Sequence, residues 1–134
     1  MTTVSAWYFK AGEMKVKTIK LKVNADGLSG DHLRELIECE MLECHSFEQE
    51  NGLLWTIWMN EMGSYEDIIP CFTAEKVLRK IKLLWGKEHL RGNFVVSCGK
   101  LKKDGDITKE DIPKDASLQD FINICNKAIE NKYK

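Results

Sequence analysis

Cys71, two residues ahead of the helix-capping candidate Thr73, is the residue of this chain best placed to act as a nucleophile. A thiol at a helix N-terminus gives up its proton more readily, because the positive end of the helix dipole stabilises the thiolate. A working nucleophile also needs a base, and His32, His45 and His89 are all distant from it in sequence. The competing reading of Cys71 is a small buried residue. His45 suggests a different chemistry. If Asn51-Gly52 is a two-residue type I′ turn, Glu48 faces Trp55, Ser46 faces Ile57 and His45 falls beside Trp58. Such a pair is either an aromatic platform with a polar tip, suited to a small ligand or nucleotide and to its hydrolysis, or a plain cross-strand packing pair.

Metal chemistry finds poor footing. Cys39, Cys44, His45 and Cys71 carry zinc-capable atoms, but a five-residue step from a helix end into a strand is not the tight knuckle of a structural zinc site. In the Asp104-Asp106-Thr108-Asp115 stretch, the sixth position of a calcium loop would need glycine and is Lys109. No phosphate loop, His-Glu-x-x-His, Gly-x-Ser-x-Gly or Cys-x-x-Cys occurs. The expectation is no metal, no cofactor and, on balance, no enzyme.

Charge is sorted along the chain although the total is only −1. Residues 24–70 hold eleven acids against the single base Arg34, whereas residues 73–103 hold nine bases against Glu75 and Glu88. Segregated charge either cancels on folding or leaves two opposed surfaces. The basic stretch coincides with the strongest helical pattern, roughly 74–88. Val77, Leu78, Ile81, Leu84 and Trp85 share one arc, and Lys76, Arg79, Lys80 and Lys87 lie opposite with Leu83 among them. These five opposite residues form a candidate surface for a protein partner, or for nucleic acid through its phosphates.

The elements that position these residues follow from periodicity. Two strands occupy the first 23 residues, with a change of apolar parity at Thr18-Ile19 that suggests a bulge. A short helix begins at the cap Asp31, buries Leu33, Leu36 and Ile37, and ends near Glu38. Strands from Met41 to Gln49 and from Leu53 to Met59 form the hairpin, and the second, apolar on both faces, should be central. After the basic helix come a strand at Asn93–Cys98, a polar loop at 100–116, and a last helix opened by Ser117 and Asp120. The expected fold is α+β, a mainly antiparallel sheet of about five strands with two longer helices and one short one, in the order ββαββαβα. Residues 1–134 read as a single globular domain.

No apolar run approaches the ~20 residues of a membrane span, and the first residues lack a signal-peptide pattern. An odd set of five cysteines without paired spacings argues for reduced thiols. The expected location is cytoplasmic. Leu33-x-x-Leu36-Ile37, Met41-Leu42-Glu43, Asn51-Gly52, Asn60-Glu61-x-Gly63 and Pro70 together resemble the small uncharacterised domains encoded by phages and conjugative elements. That resemblance, over residues 31–70, implies an accessory protein of a mobile element and supplies no site. The leading expectation is therefore a non-enzymatic interaction protein, accessory or inhibitory. It would use the charged helix face and the apolar hairpin, and the hairpin also suits a homodimer. A ligand-binding domain at His45/Trp58 and a thiol enzyme at Cys71 are the rivals.

Overall fold

Alternation along Thr2–Phe9 sends Val4 and Ala6 to one side and Trp7 and Phe9 to the other, and all four are buried. Such a strand needs cover on both faces. The computed structural model describes residues 2–24, 27–61, 68–81, 85 and 90–132. It places this strand, β1, in a seven-stranded sheet whose neighbours all run antiparallel. The other strands are β2 (Lys17–Asn24), β3 (Gly27–Leu28), β4 (Leu42–Glu48), β5 (Leu53–Asn60), β6 (Phe94–Leu101) and β7 (Ile107–Glu110). Their spatial order is β3-β2-β1-β6-β5-β4. β7 pairs with Cys98–Leu101 of β6, beyond the Phe94–Val96 stretch that pairs with β1. The fold is α+β in the expected order, with the short β3 and β7 added. β7 lies in the stretch expected to be loop. Its four residues are too few, and too uniform in burial, to show a period of two.

The two sheet faces carry separate cores. On one, helix α1 (Gly30–Ile37) packs Leu33 and Ile37 against Val4, Ala6, Leu21 and Val95. On the other, α2 (Phe72–Val77) and α3 (Leu118–Lys132) cover Trp7, Phe9, Trp55, Ile57 and Phe94. β5 is indeed central, between β4 and β6.

Local signals hold at α3. The Asp120 N–H donates to Ser117 Oγ and the Ser117 N–H donates to Asp120 Oδ2, each at 3.0 Å. Hydrogen bonding to the Ser117 backbone N–H first, and to the Ser117 side chain second, lowers the Asp120 carboxyl pKa. In α1 the cap is Ser29, whose hydroxyl accepts from the His32 N–H at 3.2 Å, and Asp31 sits in the first turn instead. The helix stops at Glu38, in the left-handed region at φ 60°. No bulge interrupts β2; its register with β1 is continuous from Thr2↔Val23 to Tyr8↔Lys17. The parity change arises because Val16 precedes the strand and packs against the opposite core.

Two larger corrections bear on the site. The helix expected over 74–88 is broken within the described residues: α2 passes into a 3₁₀ turn at Leu78–Lys80, and Ile81 is already extended at φ −79°, ψ 112°, while 82–84 and 86–88 of that span lie outside the described residues. Leu78 and Ile81 are buried all the same, since a departing chain can satisfy the same apolar pattern as a continuing helix. The Trp85 indole N–H donates to the Leu78 carbonyl at 2.6 Å, which also accepts the Ile81 N–H at 3.0 Å where the 3₁₀ turn ends. The start differs too: Cys71 is the cap position, and Thr73 lies inside the helix and is buried.

The second correction is the hairpin register. The Gln49 N–H donates to the Leu53 carbonyl at 2.8 Å and the Gly52 N–H to the Gln49 carbonyl at 2.9 Å, closing a three-residue loop. Gly52 alone takes positive φ, at 87°; Asn51 does not, and its Oδ1 accepts from the Leu53 N–H at 3.0 Å. This fits a type I turn followed by a left-handed glycine rather than type I′. Cross-strand partners move by one, to Phe47↔Trp55, His45↔Ile57 and Cys44↔Trp58.

Candidate functional site

A one-residue change of register exchanges the faces of every side chain on one strand relative to the other. His45 therefore lies on the α2/α3 side and Trp58 on the α1 side, and no His45/Trp58 platform exists. His45 meets Trp85 edge-on instead, at 6.2 Å between ring centroids, with Nε2 3.3 Å from Glu43 Oε2. Trp58 donates its indole N–H to Ser97 Oγ at 2.9 Å.

Trp58 borders a groove of about 200 Å³ on the sheet face, floored by Thr56 and Ser97 and edged by Leu54, Ile107 and Lys109. Gly99 makes this shape available. A Cβ there would come within 2.7 Å of Ile107 Cγ2 and 2.8 Å of the Thr108 carbonyl oxygen, so β7 approaches only because the side chain is absent. A larger and more open hollow, about 620 Å³, lies at the end of α1 among Arg34, Glu35, Glu38, Glu40 and Asn60.

Cys71 is wholly buried, with Sγ 3.7 Å from the Phe9 carbonyl oxygen and 3.4 Å from Thr73 Oγ1. Cys44 is exposed on the Trp58 side, whereas Cys71 packs in the α2/α3 core, so the four zinc-capable residues do not converge. Among the described residues no cluster of three or more His, Cys, Asp or Glu could hold a metal. Burial pushes the Cys98 thiol up to about 12 and shifts Cys125 upward as well. All five cysteines are free. Alkylation of the native protein should accordingly label Cys44 first and Cys71, Cys98 and Cys125 last, with no disulfide detected by non-reducing mass spectrometry. Rapid native labelling of Cys71 would show an accessible thiol and restore its claim as a nucleophile.

The basic residues gather on α2 and the turn after it. Lys76 Nζ stands 5.2 Å from the centre of the Phe72 ring. Arg79 Nε donates to Glu75 Oε2 at 2.5 Å, which raises the guanidinium pKa, while Glu75 Oε1 accepts the Leu90 N–H at 2.6 Å. Lys80 is exposed, and its carbonyl accepts from Asn126 Nδ2 of α3 at 3.2 Å. Leu83 and Lys87 lie outside the described residues. The sequence reading missed the apolar members of this surface, Ile69 at 61% and Phe72 at 47% exposure. The signal was present in Ile68-Ile69-Pro70-Cys71-Phe72, a run too apolar for a simple connector.

Buried Asn93 anchors a partly buried polar node. The Asn93 amide nitrogen lies within hydrogen-bond reach of Glu38 Oε2 (2.8 Å), the Leu36 carbonyl (3.0 Å) and Tyr8 Oη (3.2 Å). Its oxygen accepts the Ala11 N–H at 2.8 Å. Burial first, and then the Glu38 charge, raise the Tyr8 phenol pKa. The phenol stays a donor, to the Leu36 carbonyl at 2.6 Å.

Comparison with family models, curated proteins and solved structures finds no match for this chain. Among the described residues no helix is long and apolar enough to cross a membrane.

Proposed function

We propose that this protein is a non-enzymatic interaction module whose contact surface is the exposed start of α2. A cytoplasmic accessory or inhibitory protein of a phage or other mobile element fits that role. One observation carries the reading: a half-exposed aromatic, Phe72, lies under the Lys76 ammonium and three residues after the exposed Ile69. An aromatic anchor beside apolar area and cations is the composition of a protein-binding hot spot. The lysines select an acidic partner and supply salt dependence. A nucleic acid would use the same cations through its phosphates and would depend little on Phe72.

Immobilised wild-type protein, Phe72→Ala and Lys76→Glu/Lys80→Glu should be compared for retention of host proteins, with affinities measured for each protein recovered. Phe72→Ala should weaken the genuine partner by about 2 kcal/mol. Its own stability should change by roughly 0.5 kcal/mol or less, because the side chain is on the surface. The lysine reversal should weaken binding further at low salt. A partner held equally by all three proteins would place the contact elsewhere.

The groove beside Trp58 supports a second reading, a small-ligand site that keeps Trp58 and loses His45. An apolar wall with hydroxyls on the floor suits a flat ligand of modest polarity. Fragment screening followed through Trp58 fluorescence tests it, and no hits that respond to Trp58→Phe would remove it.

A further inference from the structure

β4 is the last strand of the sheet, and its outer side is open among the described residues. Hydrogen bonds at its two ends determine which backbone groups face outward. The Gln49 N–H bonds the Leu53 carbonyl and the Met41 carbonyl accepts the Glu61 N–H, so odd-numbered positions turn their backbone toward β5. Leu42, Cys44, Ser46 and Glu48 therefore direct their N–H and C=O groups away from the sheet. No described residue bonds them there. The opposite edge is partly closed by the chain itself. β3 pairs with Val23 and Asn24 of β2, the Ser29 N–H bonds the Lys22 carbonyl, and His32 Nδ1 accepts the Lys22 N–H at 3.2 Å.

An unpaired edge is a template for another strand, and its side chains decide which strand. Residues 35–75 contain no lysine or arginine. Glu40, Glu43, Glu48 and Glu50 are all exposed along or beside the edge. Among the described residues only Glu50 has a cationic side chain from another element beside it, Lys127 of α3 at 2.9 Å. Two copies pairing antiparallel through β4 would set side by side two edges that carry exposed glutamates and no lysine or arginine, and accumulated like charge opposes that pairing. A strand carrying lysine or arginine reverses that sign.

The geometry points to strand addition: the β4 edge receives an extended basic segment of a partner protein. The partner main chain bonds the outward groups of Leu42, Cys44, Ser46 and Glu48, and its cations lie on both faces, against Glu43 on the α2/α3 side and Glu48 on the α1 side. On the α1 side, one partner side chain falls beside Cys44 and Ser46, at the mouth of the groove bordered by Trp58. This surface is separate from the start of α2 and does not depend on it.

The probe is a short blocked peptide of alternating lysine pairs and valine pairs, which carries cations on both faces of the added strand, compared with the same peptide with glutamate for lysine and with the lysine peptide N-methylated on the amides of one edge. The lysine peptide should bind wild-type protein and slow hydrogen exchange at Leu42, Cys44, Ser46 and Glu48. Exchange at Glu43, His45 and Phe47, already bonded to β5, should stay as it was. N-methylation should weaken binding about tenfold or more, because it removes donors to the edge. Cys44→Pro removes one outward N–H at a position where an edge strand tolerates proline, and should weaken binding by a similar factor. If that variant fails to fold, the N-methylated peptide gives the same test on the unaltered protein. Glu43→Lys/Glu48→Lys should reverse the preference toward the glutamate peptide, whereas Phe72→Ala should leave lysine-peptide affinity unchanged. Equal binding of the lysine and glutamate peptides, indifference to N-methylation, or no binding would each overturn the proposal. So would concentration-dependent self-association that protects the same four amides, which would make a second copy the occupant.

Discussion

Trp55→Ala should destabilise the protein by about 4 kcal/mol, the largest loss expected from a single substitution here. Trp55 is 1% exposed and its ring is packed between Trp7 of β1, with centroids 5.6 Å apart, and Phe121 of α3, at 5.2 Å. Trp7 and Phe121 also meet each other edge-on at 5.9 Å, so three rings close one contact between sheet and helix. Removing the middle ring leaves a cavity that neither a sheet strand nor a fifteen-residue helix can collapse to fill. It also strips the Gln49 side-chain oxygen of the indole N–H that it accepts at 3.2 Å. Chemical denaturation followed by far-ultraviolet circular dichroism measures the change, and Trp55→Phe should cost distinctly less. A loss below about 1 kcal/mol for the alanine variant would mean that α3 is held by other contacts.

Asn93→Leu should cost about 3 kcal/mol although leucine is nearly the same size, because the loss is polar rather than volumetric. Asn93 is 4% exposed and, from its place just before β6, joins two other elements: Ala11 after β1, and Leu36 and Glu38 at the end of α1. Leucine leaves the Ala11 N–H without its acceptor and the Glu38 carboxylate without its amide donor. Glu38 has the further burden of a left-handed backbone, a conformation that costs a non-glycine residue of order 1 kcal/mol. Its carboxylate bond to Asn93 helps hold that turn. Hydrogen exchange should therefore show the last turn of α1 opening before the sheet does in the variant. Uniform destabilisation without selective loss at α1 would show that the node serves the whole core instead.

How much of this was legible depends on how far apart the cooperating residues are. The Ser117–Asp120 cap, the end of α1 at Glu38 and the central place of β5 were all readable, because each is decided by residues a few positions apart or by burial on both faces. The polar node was not. Tyr8, Glu38 and Asn93 are spread across the chain, and nothing in their neighbourhoods marks them as partners. The exposed Ile69 and Phe72 were obscured differently, since periodicity identifies what is apolar and not what remains uncovered.

By itself the amino-acid sequence determined the α+β class, the element order, the sorting of acidic and basic charge, and the capping of the last helix. These are set by local free energies, a period of two or of nearly four and a hydrogen bond within one turn, which act before the chain has chosen distant neighbours. Tertiary structure alone decided the hairpin register, the stop at Ile81 and the identity of the open edge. Each of those rests on differences between alternative packings. One extra loop residue moves His45 and Trp58 to opposite faces at little local cost. Leu78 and Ile81 are buried whether or not the helix continues. β4 is an edge only because β6 chose β1 and β5 as its neighbours. The proposed basic-strand site exists because of that last choice: the acids were written into the sequence, and the free backbone beside them was left by the fold.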